Sequence, residues 1–273
     1  MDLTQSVAVI TGAGSGIGRK LALQLGRKGV RLALNDSNEN SLAETQTAVE
    51  EFGGKVTGQA FDVSDRGKMT DFATHVRDHY GQTDIVVNNA GVALGIMKIE
   101  EVSQEDFEWI INVNMWGVIN GTLAFLPMLR ERPEANLVNV SSSFGLLGVP
   151  LQAPYCASKF AVRGFTESVR LELTHTNICV TLAYPSQVKT NILRNARHRN
   201  AEDRTNLVRM FDEQVARISP EDMAAAIFDA IVNRREQVIF GLDAKLYSWA
   251  SRFAPGFFIR AAARKGLRAV ENL

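Results

Sequence analysis

Cysteine is scarce in this chain of 273 residues, and the two present, Cys156 and Cys179, stand in no CxxC spacing. A disulfide framework or a cysteine-ligated zinc site is therefore not expected, and reduced structural thiols are. Net charge is absent too, since 30 Lys and Arg balance 30 Asp and Glu. That argues against nucleic acid as the main partner, because phosphate contacts need a concentrated cationic face. The four histidines, His75, His79, His175 and His198, form no ligand cluster. His75 and His79 share a helical face by their spacing, which reads as a solvated pair rather than a metal site. Charges or glycines interrupt the longest apolar stretches before the roughly 18 residues that a membrane span needs. Met1 to Ser6 lack the basic segment, apolar segment and cleavage site of a secretory signal, so a cytoplasmic protein is expected.

What is present is an alternation. With 45% hydrophobic and 22% charged residues the chain can bury a core. Short β-branched runs at Val7 to Ile10, Arg31 to Asn35, Lys55 to Phe61, Asp84 to Asn88, Asn136 to Val140, Ile178 to Ala183 and Gln237 to Phe240 read as strands. Between them lie segments of helical period: about 16 to 28, 38 to 52, 65 to 80, about 104 to 130, about 153 to 176, and one after Ser219-Pro220-Glu221. Gly29, Gly53-Gly54 and Gly81 supply stop signals, and Ser103 through Asp106 resembles a capping box. Parallel strands need right-handed crossovers, so this order specifies an α/β fold, an open doubly wound parallel sheet of about seven strands with helices on both faces. One domain over residues 1–273 is expected. In such sheets ligands bind beyond the carboxyl ends of the strands.

The first loop at that edge is Thr11-Gly12-Ala13-Gly14-Ser15-Gly16-Ile17-Gly18, between a strand and a helix. Glycine permits positive φ and close approach of a pyrophosphate, and the helix start supplies free N–H groups. A tight turn without ligand is the alternative, though four glycines between positions 12 and 18 exceed what a turn requires. The spacing is TGxxxGxG. Together with Asn88-Asn89-Ala90-Gly91 after the fourth strand and Tyr155-Cys156-Ala157-Ser158-Lys159 further on, it resembles the short-chain dehydrogenase/reductase family over roughly Ser6 to Phe240.

That resemblance implies a Rossmann-like fold, a nicotinamide cofactor and an oxidoreductase. It assigns cofactor contacts to Gly12, Ser15, Gly16, Ile17 and Gly18 in the turn, and to Asn89, Ala90 and Gly91. Asp62 and Val63 resemble the family's adenine-binding pair; Asp62 could instead cap the next helix. Asp36 ends the second strand, where a carboxylate can accept from both ribose hydroxyls and repel a 2′-phosphate. Ser15 and Ser37 stand where NADP-dependent relatives usually carry Arg or Lys, so NAD is the expected cofactor. Capping the following helix is the alternative role for Asp36. Beyond the sixth strand Pro185, Val188 and Thr190 match the cofactor segment, but Ser186 replaces the usual Gly and adds a Cβ there.

Tyr155 and Lys159 stand four apart, on one helix face. A neighbouring ammonium and a positive nicotinamide would favour the phenolate, and a drop of about three pKa units is worth roughly 4 kcal/mol. Tyr155 would then act as base for alcohol oxidation or acid for carbonyl reduction. By resemblance Lys159 also binds the nicotinamide ribose, Ser142 holds the substrate oxygen, and Asn114 kinks its helix and binds a water in the proton relay. Ser141 and Ser143 flank Ser142, and the Ser-x-x-Gly pattern ending at Gly145 favours the middle one.

The loops Val92 to Met97 and Gly145 to Leu151 are apolar, which suits a lipophilic alcohol or ketone, or equally a seal on the core. Residues about 190–217 are expected as a lid, whose arginines read as a solvated face rather than an anion site. The segment about 244–271 is amphipathic and cationic, with Leu246, Trp249, Phe253, Phe257, Phe258 and Ile259 beside Lys245, Arg252, Arg260, Arg264, Lys265 and Arg268. Covering the pocket or another subunit is its first reading; contact with an anionic membrane surface is the less favoured one. A homodimer or homotetramer follows from resemblance alone. The reading from another class is a dinucleotide-binding regulator or scaffold without turnover.

Overall fold

Every residue of Val7–Thr11 is buried, as a strand must be when helices cover both faces of its sheet. This strand, β1, is the third of seven parallel strands in the computed structural model, which describes residues 3–253 together with Gly256. The others are β2 Arg31–Asp36, β3 Val56–Ala60, β4 Ile85–Asn88, β5 Ala135–Val140, β6 Ile178–Tyr184 and β7 Gln237–Ile239, in the spatial order β3-β2-β1-β4-β5-β6-β7. Side chains alternate across β1: Ala8 and Ile10 join one core layer, Val7 and Val9 the other. The first layer is covered by α1 Gly16–Gly26, α2 Glu39–Glu50 and α8 Pro220–Val232, which contribute Leu21, Leu42 and Ile227. The second lies under α3 Arg66–Tyr80, α5 Gly117–Arg130 and α6 Ala153–Glu172, with Phe72, Phe125 and Val169.

The helix starts follow local chemistry. Asn38, Asp65, Ser103 and Ser219 each accept a backbone N–H three residues on, satisfying donors that a helix start leaves free. Gly81, at φ 73°, ends α3 as the sequence signals. Three ends come earlier than the periodicity suggests: α1 stops at Gly26, α2 at Glu50 and α6 at Glu172. The α6 end is set from afar, because Asn177 donates to the carbonyls of Leu129 and Arg132 and draws the chain into β6.

The expected helix over 104–130 is one rod in two parts, α4 Gln104–Ile111 and α5, joined by a π turn at Asn112–Trp116. By length and composition this rod could cross a membrane, against the expectation that charges or glycines break every such run. Neutral Asn112, Asn114 and Asn120 do the interrupting. Half of the apolar stretch is buried within the protein. Two further helices, α7 Ala201–Met210 and α9 Leu242–Phe253, lie at the carboxyl edge of the sheet and near the cavity described below.

At the opposite edge Asp84 is 4% exposed. Its carboxylate accepts from the Val7 N–H at 2.8 Å, Gln82 Nε2 at 2.8 Å and Arg132 Nε at 2.7 Å. Asp84 thereby pins β1 to β4 and anchors the end of α5. Asp84→Ala leaves a buried N–H and a half-buried guanidinium unpaired, and should lower unfolding free energy by about 3 kcal/mol in urea titration.

Candidate active site

A cavity of about 900 Å³ runs along the carboxyl edge, from Asp36 at one end to Tyr247 at the other. Gly12 turns the chain off β1 at φ 64°, and Gly18 lets α1 pack closely on that turn: a Cβ there would sit 2.2 Å from the Gly12 carbonyl. Gly12, Ser15, Gly16 and Ile17 line the cavity, whereas Gly18 acts from behind it. Ser15 makes no side-chain cap on α1, so the first N–H groups of that helix lack a side-chain acceptor. Donors without acceptors beside a glycine cradle suit a pyrophosphate.

Asp36 Oδ2 accepts from the Gly14 N–H at 2.8 Å and Oδ1 from the Asn38 N–H at 2.9 Å. Asn38 caps α2, which leaves Asp36 as a cavity wall. Arg19, the first cation after the turn, is committed to Thr45, Glu44 and the Ser41 carbonyl. Asp62 and Val63 also line the cavity, and Asp65 rather than Asp62 caps α3. Asn120 holds their loop by donating to the carbonyls of Val63 and Ser64. Asn35, buried beside Asp36, donates to the carbonyls of Gln59 and Phe61 and joins the tips of β2 and β3. Sequence reasoning missed both asparagines, which resemble ordinary core interruptions until their distant partners are known.

At the centre, Asn89 Nδ2 donates to the carbonyls of Thr11 and Gly12, while Thr11 Oγ1 accepts from the N–H groups of Asn89 and Ala90. Ala90 and Gly91 continue the wall. Asn114 is wholly buried and does not line the cavity. Its amide spans the Val92 N–H at 2.7 Å, the Val92 carbonyl at 3.0 Å and Ser158 Oγ at 3.0 Å. The π turn places it there, where the resemblance implies a kink.

Ser142, Tyr155 and Lys159 meet at the cavity floor. Ser141, Ser142 and Ser143 all line the cavity; Ser141 Oγ donates to the Lys159 carbonyl at 2.8 Å and is engaged with the backbone, while Ser142 Oγ accepts from the Phe144 N–H at 3.2 Å and acts on the phenol by pulling its pKa down. Lys159 Nζ lies 5.7 Å from the Tyr155 ring centre and donates to the Val140 carbonyl at 3.2 Å. Pro185, Val188 and Thr190 complete the wall. Ser186 lies outside the positive-φ region, which falls on Gln187 at 53°, so the Cβ at 186 adds no backbone strain.

The outer half of the cavity is apolar. Val92, Ala93 and Ile96 face it, as do Leu147, Val149, Pro150 and Leu151, while Leu94, Met97 and Leu146 are buried in core clusters. Each loop thus divides between pocket and seal. Trp109 of α4, Leu207, Met210, Phe211 and Val215 of segment 190–217 and Tyr247 of α9 also line it. The arginines of segment 190–217 pair with protein carboxylates: Arg194 with Asp212, Arg197 with Asp106, Arg199 with Glu101 and Asp203. In α9, Ala244 and Ala250 are buried and Tyr247 reaches the cavity, whereas Leu242, Leu246, Trp249 and Phe253 are exposed. Phe257, Phe258, Ile259, Arg260, Arg264, Lys265 and Arg268 lie outside the described residues.

Burial dominates the electrostatics of the pair. It pushes the Tyr155 phenol up to about 12, with Ser142 hydrogen bonding pulling the other way, and the Lys159 ammonium down to about 8. The expected depression of the phenol is therefore not supplied by the chain's own groups. Between pH 8 and 10.5 the unfolded chain binds the lysine proton and the folded chain does not, so stability rises with pH through that window. Lys159→Met should be more stable than wild type at pH 7, by up to about 3 kcal/mol, with the gap closing as pH approaches 10.5 in thermal melts.

Comparison with known proteins agrees with this geometry. The family model for short chain dehydrogenases matches residues 6–201. The putative oxidoreductase SadH of Mycobacterium tuberculosis is 40% identical over 259 residues, covering 94% of each chain. The 3-oxoacyl-[acyl-carrier-protein] reductase FabG of Thermotoga maritima is 34% identical over 190 residues, 70% of this chain and 77% of that one. A short chain dehydrogenase/reductase from Burkholderia phymatum, crystallised with NAD, superposes with a TM-score of 0.83 at 30% identity, over 92% of this chain and 93% of that one. On this glycine cradle, this sheet order and these matches, the chain belongs to the short-chain dehydrogenase/reductase family of oxidoreductases.

Proposed function

We propose that the chain catalyses hydride transfer between NAD(H) and a lipophilic secondary alcohol or ketone. The observation that carries this reading is the meeting of Ser142, Tyr155 and Lys159 where the glycine-lined half of the cavity joins the apolar half. The bound nicotinamide would supply or accept the hydride. Gly12, Ser15, Gly16 and Ile17 would hold the pyrophosphate, Asp36 the adenosine ribose, Asp62 and Val63 the adenine, and Asn89 to Gly91 the middle of the dinucleotide. Pro185, Val188 and Thr190 would flank the nicotinamide, and Lys159 its ribose. NAD preference rests on the Asp36 carboxylate, which disfavours a 2′-phosphate.

The chemistry of the chain's own groups follows from the pKa directions. A phenol held protonated at neutral pH is an acid, so Tyr155 would give its proton to the oxygen of a ketone undergoing reduction. Ser142 would donate a hydrogen bond to that oxygen and fix its position. Lys159, charged below about pH 8, would favour the phenolate left behind. Asn114 would keep Val92 and α6 in register with one another. The apolar outer half excludes water and suits a lipophilic substrate body.

A dimer is proposed through the π turn, α5 and α6, whose outer faces expose Trp116, Leu123, Phe160 and Leu171. Light scattering should give at least twice the chain mass for wild type and a shift toward monomer for Leu123→Glu; a monomeric wild type overturns the proposal. The reaction is tested by nicotinamide absorbance on a panel of lipophilic alcohols and ketones. Turnover should follow NAD(H) over NADP(H), and Tyr155→Phe should lower kcat/KM by roughly 10²- to 10⁴-fold. Equal turnover with NADP(H) would sink the cofactor preference, and unchanged turnover in Tyr155→Phe the mechanism.

A further inference from the structure

Three separate stretches of chain build the outer wall of the apolar half: the loop after β4, the helix α4, and the segment 189–200 that leads into α7. Arg197 touches all of them. Its guanidinium lies 4.2 Å from the ring centre of Trp109, a cavity-lining residue of α4. One turn earlier on the same helix, Asp106 takes Arg197 Nη1 at 2.9 Å, with Glu105 at 3.7 Å. The Arg197 backbone carbonyl accepts the Gly95 N–H at 2.8 Å, and Leu94 and Arg197 form an isolated parallel bridge. Gly95 allows this seam, since a Cβ there would lie 2.9 Å from His198 Nδ1. The Gly95 carbonyl in turn accepts from Gln152 Nε2, one helical turn before Tyr155.

We infer that Arg197 is a positioning residue for the substrate pocket: its guanidinium holds Trp109 in the wall and clamps segment 189–200 to α4, and that clamp keeps the backbone seam between Arg197 and the loop after β4 closed. The reason is that its contacts are cooperative in geometry. A planar guanidinium can stack on an indole while its edge pairs with a carboxylate, which an ammonium on a flexible stem does less well. Arg197 is half exposed, so each contact alone is weak, and the joint effect is a bias toward the closed wall rather than a permanent seal. Substrate must enter past this bias. The inference deepens the proposed reaction and rests on it for the word substrate, but the lock itself is a property of the chain.

The experiment reads the two separately. Hydrogen exchange on the full chain without substrate should show Arg197→Met raising exchange roughly fivefold in peptides covering 92–97 and 189–200, leaving the Gly-rich turn unmoved. Salt at 0.5 M should carry wild type toward the variant and change the variant little. In steady-state assays with the best ketone of the panel, KM should rise roughly 3- to 10-fold in Arg197→Met with kcat within twofold, and Arg197→Lys should recover only part. Unchanged exchange in 189–200, or a rise spread evenly through the sheet, would overturn the inference whatever the enzyme's turnover. Arg197-dependent exchange in a chain that turns over nothing would leave the lock standing and count against the proposed reaction alone.

Discussion

The bond pattern between Asn89 and the end of β1 is the constraint on which the site depends. Helices leave β1 toward one face of the sheet and β4 toward the other, which opens a crevice between two adjacent strand ends. A crevice tends to widen unless something spans it. Asn89 spans it with two donated bonds to the Thr11 and Gly12 carbonyls, and Thr11 returns one acceptor to two backbone N–H groups. The Gly-rich turn is therefore held against the wall formed by Ala90 and Gly91, and Gly91 in turn leaves room for Lys159 Nζ and Asn114 Oδ1. Cradle and reactive pair are parts of one closely packed assembly.

Burial of Tyr155 and Lys159 gives that assembly its chemical character and its instability together. Removing both side chains from water disfavours charge on each, which raises the pKa of the phenol and lowers that of the ammonium. A site arranged for stability would not bury an ammonium against a single carbonyl. The arrangement is intelligible when a further charged group joins the pair during the reaction, because low dielectric then amplifies its influence.

Much of this was legible in the sequence, for physical reasons that differ from element to element. Strands buried on both faces are continuous apolar runs, and Val7 to Ile10 or Ile178 to Ala183 can be read as little else. The glycine turn and the spacing of Tyr155 and Lys159 are local, and local geometry is what spacing encodes. Asp36 and Asp62 were ambiguous because Asp serves both as cap and as ligand; Asn38 and Asp65 are the actual caps, which removes one of the two alternatives. The direction of the tyrosine shift was not legible, since it depends on burial by distant segments. Nor were Asn35, Asn120, Trp109 and Tyr247, whose roles arise only when residues far apart in sequence meet.

The π turn at Asn112–Trp116 is, in effect, one residue too many in a helix. Each residue advances an α-helix by about 100°, so the extra one sets the phase between α4 and α5. Upstream, Ile110 and Trp109 address Leu94 and Met97 beside the pocket; downstream, Phe125 and Leu129 address the sheet. A one-residue deletion here would keep the rod helical, yet it would turn Trp109 away from the pocket or Phe125 out of the core. Chain length across these five positions is thus a tuning peg for the site.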